Sequence, residues 1–269
     1  MGLAHRVKPG SKFSLKDIDP NEKGKFDSKA DAKYEEELHD LLERLTNLQE
    51  KLYAESKQAL IVVLQAMDTA GKDGVLRKVV GPLDSRGVHV ATFKAPNSEE
   101  LAHDYLWRVH QKTPKKGDMM FFNRSHYEDV LVVRVLDLVP KAVWKRRFDH
   151  INAFEKMLSD EGTRVVKFYL HISKDEQKRR LEERLHDPQK HWKFEAADLK
   201  MRAKWDDFMA AYDEAIERTS TDEAPWYVVP ANRKWIRDLA VAQVLVQTLE
   251  EMAPKYPKKE LDPNIVVPD

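Results

Sequence analysis

The feature that most constrains this chain is a short apolar run that is followed directly by a loop containing glycine and lysine. Residues 60–64 form a continuous aliphatic run, which is typical of a strand buried on both faces of a parallel sheet. The loop AMDTAGKDG occupies residues 66–74, and a helical pattern begins after it. Strand, loop and helix in this order indicate a phosphate-binding loop, in which backbone N–H groups and a helix N-terminus surround phosphate oxygens.

The loop matches the usual P-loop pattern, G-x-x-x-x-G-K-[ST], only in part. Gly71 and Lys72 stand where the pattern requires them, whereas Ala66 replaces the first glycine and Asp73 replaces the serine or threonine. The adjoining strand and helix favour a phosphate loop, and an ordinary strand-to-helix turn is the alternative. The residues that we predict to bind phosphate are Ala70, Gly71, Lys72, Asp73 and Gly74.

Asp68 is unusual in a loop that holds anions, because a carboxylate repels phosphates unless a cation lies between them. Magnesium suits this position, since it prefers oxygen ligands and is commonly held by one or two carboxylates together with phosphates and waters. We therefore predict that Asp68 is a metal ligand. The alternative is a structural one, in which the Asp68 side chain closes the turn.

Further short apolar runs alternate with helical patterns along the chain, which predicts an α/β domain with a parallel sheet covered by helices. The additional strands are expected at 88–93, 119–122, 165–172 and 226–229. The helices are expected near 31–54, 73–85, 98–111, 125–137, 150–160, 174–186, 195–219 and 232–252.

The predicted organisation is one domain with a helical insertion and two irregular ends. Residues 1–30 form a basic arm, interpreted as a solvated tail with phosphate contact as the alternative. Residues 31–252 form the domain, with a lid at about 174–219, and residues 253–269 form an extended tail.

Composition narrows the classes of function. The chain contains no cysteine, which excludes disulfides, thiolate nucleophiles and cysteine-bound metals and fits a reducing cytoplasm. Its longest apolar stretch is far shorter than the roughly 18 residues of a membrane span. The 46 basic residues equal the 46 acidic residues, so a site for a polyanion must be built from locally clustered cations. We expect a cytoplasmic protein that binds neither membrane nor nucleic acid.

The end of the strand at 119–122 carries a second group of candidate site residues. A common P-loop enzyme would place a magnesium-binding Asp here, but Asn123 takes that position and Glu128 follows a turn later. Ser125-x-x-Glu128 also matches a helix capping box, so Glu128 is either a capping residue or a site residue. Arg124 follows a buried strand, where a charge is costly without an anionic partner.

Four segments in this order and spacing resemble the polyphosphate kinase 2 family over about residues 30–250: MDTAGKDGVLRKV, FKAPNSEELAHDYLWR, FNRSHYEDVLVVRV and RRLEERLHDPQKHWKF. The resemblance implies a P-loop kinase-like three-layer fold with a five-stranded parallel sheet and a helical lid. It also implies transfer of phosphoryl groups between inorganic polyphosphate and adenine or guanine nucleotides. Magnesium is the implied metal, with manganese as an alternative, and a homo-oligomer (dimer or tetramer) is the implied assembly.

The same resemblance assigns roles to residues. Asp68 would hold magnesium with Glu128 as the candidate second ligand, and Lys72 would bind the transferred phosphoryl group. Arg124 and Arg134 would stabilise its charge, and Arg180 and Arg184 on the lid would close over the phosphates. Asn123 and Glu128 resemble the subclass that phosphorylates both nucleoside mono- and diphosphates, so the implied reactions convert AMP to ADP and ADP to ATP.

Two other functions remain open from the residues alone. One is a nucleoside or nucleotide kinase that uses ATP as donor, and the other is a non-catalytic P-loop protein that binds a phosphorylated regulator. A polymeric donor needs a basic channel, for which residues 141–147 are the candidate. Aromatic residues of the lid are expected to pack in its core rather than to stack on a base; these are Trp192, Trp205, Phe208 and Tyr212.

Overall fold

The computed structural model describes residues 2–260 and contains a six-stranded sheet. The strands lie in the order β1-β6-β5-β2-β4-β3. Their bounds are β1 His5–Arg6, β2 Ala59–Gln65, β3 Val88–Thr92, β4 Met119–Asn123, β5 Thr163–His171 and β6 Trp226–Pro230. Strands β2 to β6 are the five predicted strands and run parallel, whereas β1 pairs antiparallel with β6. The sheet is therefore mixed, and the predicted five-stranded parallel sheet gains one short edge strand.

Strand β2 lies at the centre of the sheet, and all seven of its residues are buried. It pairs with β4 on one side and with β5 on the other, with Leu64 opposite Asn123 and Gln65 opposite Tyr169. The carboxyl ends of these strands consequently meet along one edge. In parallel sheets this edge is where ligands bind, and here it brings the P-loop next to the segment that follows β4.

Ten α-helices flank the sheet within the described residues. They are α1 Ala32–Glu55, α2 Lys72–Val75, α3 Ser98–Ala102, α4 Trp107–His110, α5 Val132–Val135, α6 Lys141–Asp160, α7 Lys174–His186, α8 Ala196–Ala203, α9 Trp205–Thr219 and α10 Lys234–Met252. The helices predicted at 98–111, 125–137 and 195–219 are each interrupted, while α6 begins before residue 150, directly after Pro140. Proline cannot donate a backbone hydrogen bond, which suits the start of a helix.

The N-terminal segment is not the solvated tail that its composition suggests. Leu3, Val7, Leu15 and Phe26 are all buried in the main core. The Val7 amide donates to the Trp226 carbonyl at 2.9 Å, which continues the pairing of β1 with β6. Pro and Gly residues break the periodicity here, but scattered apolar side chains still bury surface against the rest of the fold.

The predicted tail at 253–269 lies partly outside the described residues, and residues 253–260 contain neither helix nor strand. Among residues 2–260, none of the helices is long and apolar enough to cross a membrane.

Candidate active site

The P-loop connects β2 to α2 and has the backbone geometry of an anion-binding turn. Gly71 has a φ of 108°, a conformation that L side chains rarely adopt, and Lys72 then begins α2. The Lys72 ammonium donates to the Ala66 carbonyl at 3.2 Å and so lies across the loop. Burial lowers the pKa of Lys72, and the neighbouring Asp68 carboxylate opposes part of that shift. The loop thus encloses a cation beside its backbone amides.

Arg237 of α10 packs against the glycines of this loop. No sequence pattern predicted this arginine as a neighbour of the P-loop. A Cβ atom at Gly74 would lie 2.6 Å from Arg237 Nη2, and one at Gly71 would collide with Nη1. The Arg237 guanidinium is buried and donates to Asp238 Oδ1 at 2.6 Å. A side chain at either glycine would have to displace this guanidinium, and no local sequence signal indicates the distant arginine.

The segment after β4 meets the P-loop as predicted. Arg124 adopts a positive φ of 61° and donates to Asp68 Oδ1 at 3.0 Å, so Asp68 is the anionic partner of this charge. The Asn123 amide donates to Asp73 Oδ1 at 3.1 Å. Burial raises the pKa of Glu128, while the charges of Arg124 and Lys72 act against that rise.

The capping alternative for Glu128 is not what the structure contains. Ser125 Oγ accepts from the Tyr127 amide at 3.1 Å and begins a 3₁₀ turn over His126–Asp129. The Glu128 side chain instead faces a small cavity of about 180 Å³ that it shares with Asp68 and Asp198.

Arg180 is placed differently from the role that the resemblance implied. Its guanidinium is buried, and all five of its N–H groups are engaged: Nε donates to Glu176, and the terminal nitrogens donate to backbone carbonyls. The accepting carbonyls belong to Thr69, Ala70, Ala231 and Asn232, at 2.7–3.0 Å. In this structure the Arg180 guanidinium connects α7 to the P-loop through hydrogen bonds and does not face a phosphate site.

The other two predicted arginines also differ from each other. Arg184 donates to the Lys193 carbonyl at 2.8 Å and to Asp198 Oδ2 at 3.2 Å, and it lines the same cavity as Lys72. Arg134 is paired with Glu214 at 2.7 Å and lies 4.7 Å from the ring centre of Trp144, on the side of α5 that faces α9. The structure therefore brings Arg184 to the site and leaves Arg134 apart from it.

Two larger cavities border the P-loop, and we name them by their walls. The lid cavity, of about 500 Å³, lies between the P-loop, the ends of β3 and β4, and the lid. Its lining residues are Asp68, Thr69, Gly71, Lys72, Asp73, Thr92, Phe93, Lys94, Ala95, Asn123, Arg124, Arg184, Trp192, Lys193, Glu195 and Asp198.

The basic cavity, of about 960 Å³, lies between α1, α7, the start of α10 and the helix that follows the P-loop. It reaches the P-loop at Gly74. Seven cations line it against four carboxylates; the cations are Lys29, Arg77, Lys78, Arg179, Arg233, Lys234 and Arg237, and the carboxylates are Glu35, Glu176, Glu183 and Asp238. The basic cavity is not lined by residues 141–147. In that predicted segment Arg147 is paired with Asp129 at 2.9 Å, whereas Lys145 and Arg146 are exposed on α6.

The donor set beside the P-loop suits a hard divalent cation that also binds phosphate. The carboxylates of Asp68, Glu128, Glu195 and Asp198 all line the small cavity. Burial raises the pKa of Asp198, and the nearby Asp68 carboxylate adds to that rise. Within residues 2–260, three or more His, Cys, Asp or Glu residues are nowhere grouped closely enough to hold a metal alone. An ion completed by substrate phosphates and waters fits this arrangement.

Comparison with known proteins gives the family of this chain. The model of the family Polyphosphate kinase 2 (PPK2) matches residues 9–257. The chain belongs to the polyphosphate kinase 2 family. Membership makes it an enzyme that transfers phosphoryl groups between polyphosphate and nucleotides, and it confirms the family and the function predicted from sequence.

Individual members of the polyphosphate kinase 2 family align over nearly the whole chain. An AMP/ADP-polyphosphate phosphotransferase of Meiothermus ruber is 54% identical over 256 residues, which cover 95% of this chain and 96% of that protein. An ADP-polyphosphate phosphotransferase of Rhodopseudomonas palustris is 43% identical over 271 residues, covering 94% and 91%. The crystal structure of Polyphosphate Kinase 2 from Arthrobacter aurescens TC1 superposes with a TM-score of 0.91 at 48% identity, covering 96% of this chain and 91% of that one. The predicted fold class is thereby confirmed.

Proposed function

We propose that this polyphosphate kinase 2 phosphorylates both AMP and ADP in one Mg²⁺-dependent site, with the nucleotide in the lid cavity and polyphosphate in the basic cavity. The observation that carries the assignment is the position of the two cavities, which both border the P-loop, the lid cavity at Lys72 and the basic cavity at Gly74. A phosphoryl group in the loop would then have a donor on one side and an acceptor on the other.

The charges of the two cavities support this order. The basic cavity has an excess of three cations, from seven basic and four acidic residues. The lid cavity has five cations and four carboxylates, an excess of one. A polyphosphate chain carries charge along its whole length, whereas a nucleotide carries charge only at one end. The cavity with the greater positive charge therefore suits the polymer.

The proposed chemistry is in-line transfer of the terminal phosphoryl group. The bond between that phosphorus and its bridging oxygen breaks, and the electron pair stays with the shortened polyphosphate. The new bond forms to a phosphate oxygen of AMP or ADP, which is largely deprotonated near pH 7 and needs no strong base. Positioning and charge neutralisation supply most of the catalysis of such a reaction.

Each residue near the loop has a part in this proposal. Lys72 neutralises the transferred group, and Arg124 and Arg184 approach it from β4 and from the lid. Arg180 acts as a positioning residue through the carbonyls of the P-loop. Asp68 would hold the metal together with Glu128 or Asp198, and the ion would supply positive charge that neutralises the substrate phosphates.

A donor assay tests the proposed function against an ATP-dependent kinase. Purified protein is incubated with Mg²⁺, AMP and either polyphosphate or ATP as the sole donor, and nucleotides are followed over time. We expect ADP to rise and then decline as ATP appears when polyphosphate is the donor. Use of ATP but not of polyphosphate would favour the second kinase hypothesis, and absence of turnover with either would favour a binding protein.

Paired charge reversals test the assignment of the basic cavity. Arg77 and Lys78 are exposed in the basic cavity, whereas Lys145 and Arg146 are exposed on α6 in the segment predicted from sequence. R77E/K78E should raise the KM for polyphosphate more than the KM for nucleotide, and should make polyphosphate binding less dependent on salt. K145E/R146E is the matched double reversal. If it has the larger effect on the polyphosphate KM, the channel lies along α6.

A further inference from the structure

Trp192 is an exposed aromatic side chain on the wall of the lid cavity. It is 77% exposed, and it lies in the 3₁₀ turn Pro188–Lys193 that joins α7 to α8. The sequence pattern predicts that Trp192 packs in the core of the lid with Trp205, Phe208 and Tyr212. Those three side chains are buried as expected, but Trp192 is not. The Lys193 ammonium lies 4.7 Å from the centre of this ring, and the remaining aromatic surface, open to a ligand cavity, suggests a ligand that covers it.

Hydrogen bonds hold the turn that carries this indole on both sides of Trp192. Asp187 accepts from the Gln189 amide at 3.0 Å, and Lys190 Nζ lies 2.6 Å from Glu183 Oε1. After the indole, the Lys193 carbonyl accepts from Arg184 at 2.8 Å. Trp192 is therefore exposed from a turn that hydrogen bonds hold in place.

The chemistry of the substrates limits what can cover this ring. Polyphosphate has no flat or apolar surface, and ribose and phosphate groups are polar. Of the groups that enter the reaction, only the nucleobase can stack on an indole. Phe93, directly after β3, also lines this cavity, but its ring is buried against Phe122, so the open aromatic surface is that of Trp192.

We infer that Trp192 stacks on the base of the acceptor nucleotide. The inference rests on the proposed function, because it takes the lid cavity as the nucleotide site. Stacking uses the faces of a base and does not read its hydrogen-bonding edge, so adenine and guanine are accepted alike.

Base recognition is also connected to the transferred phosphate through the lid. Arg184 contacts the backbone of Lys193, the residue next to Trp192, and lines the cavity together with Lys72. A base stacked on Trp192 therefore favours the lid position in which Arg184 faces the phosphates. Trp192 is a specificity residue that touches the substrate away from the reacting atoms.

The test compares Trp192→Ala with Trp192→Phe and with Leu199→Ala, which shortens another exposed lid side chain. Loss of an aromatic stacking partner typically weakens binding by about 5- to 150-fold. We expect W192A to raise the KM for AMP and ADP within this range, with a change of less than about 2-fold in the KM for polyphosphate. W192F should retain most of the affinity, and L199A should resemble the wild type. Thermal unfolding of each variant establishes that it is folded.

A second measurement removes the base instead of the indole. Ribose 5-phosphate and AMP are compared as competitive ligands, with the expectation that AMP binds the wild type more tightly and that W192A loses most of this difference. AMP should also quench tryptophan fluorescence in the wild type without polyphosphate, and W192F should lose that signal. An unchanged nucleotide KM in W192A, or an equal rise in both KM values, would overturn the inference. Because the fluorescence titration needs no turnover, it separates failure of this inference from failure of the proposed function.

Discussion

A buried ion pair behind the active site gives the most quantitative test of the structure. Lys167 of β5 is fully buried, and its ammonium lies 2.5 Å from Glu155 Oε2. It also donates to the Tyr127 hydroxyl at 2.9 Å and to the Thr219 carbonyl at 2.6 Å. His126 Nε2 lies 3.1 Å from the other oxygen of Glu155. His126 and Tyr127 belong to the same turn as Glu128, so this network supports one wall of the site.

Removing one member of this pair leaves the other as an isolated charge in the core. Such losses typically cost about 3–5 kcal/mol, because the remaining ion is desolvated without a partner. Lys167→Met should therefore lower the free energy of unfolding by about 3–5 kcal/mol, and Glu155→Leu by a similar amount. At about 2–4 °C per kcal/mol, the expected loss in Tm is about 6–20 °C for each variant.

The double variant distinguishes the charge effect from a packing effect. Lys167→Met combined with Glu155→Leu removes both charges, so it should cost far less than the two single changes together, as replacement of whole buried ion pairs often does. The measurement is urea denaturation at pH 7 with thermal unfolding in parallel. Lys156→Met is the control, because Lys156 and Asp160 form an exposed pair at 2.8 Å and should contribute little. Additive costs, or a loss below about 1 kcal/mol for Lys167→Met, would refute the reasoning.

Three further predictions concern the site and its pH dependence. Lys72→Ala and removal of divalent cations with EDTA should each lower turnover by at least ~10²-fold, the usual scale for one lost charge-stabilising group; near-normal rates in either assay would contradict the site. Glu128→Asn should impair phosphorylation of AMP more than phosphorylation of ADP in separate initial-rate assays. Equal effects on the two reactions would indicate that Glu128 has a structural role. Burial lowers the pKa of His171 to about 4, so the unfolded chain, with an ordinary pKa of about 6.5, takes up this proton first as the pH falls. This group should therefore remove about 3 kcal/mol of stability between pH 6.5 and 4. The free energy of unfolding of His171→Gln should depend less on pH across that range than that of the wild type. An identical pH dependence in the two proteins would count against this prediction.

Elements whose signals are local can be predicted from the sequence. The aliphatic run before the P-loop identifies the central strand, because a strand buried on both faces needs apolar residues at every position. Gly71 and Lys72 identify the loop, since the turn needs a positive φ and the phosphate needs a cation. The position of Arg124 at the end of β4 followed from the rule that parallel strands present their carboxyl ends together.

Which charged and aromatic side chains face the site depends on the folded arrangement of distant segments. A sequence pattern places Arg180 and Arg184 on one helical face, but folding gives Arg180 five acceptors and leaves Arg184 in the cavity. The same holds for Arg237, whose partners on the P-loop are far away in the chain. Trp192 is exposed although its neighbours in the helical pattern are buried. The physical reason is that periodicity reports which residues share an element, whereas the partner of a guanidinium or an indole is set by distant segments that meet only in the folded protein.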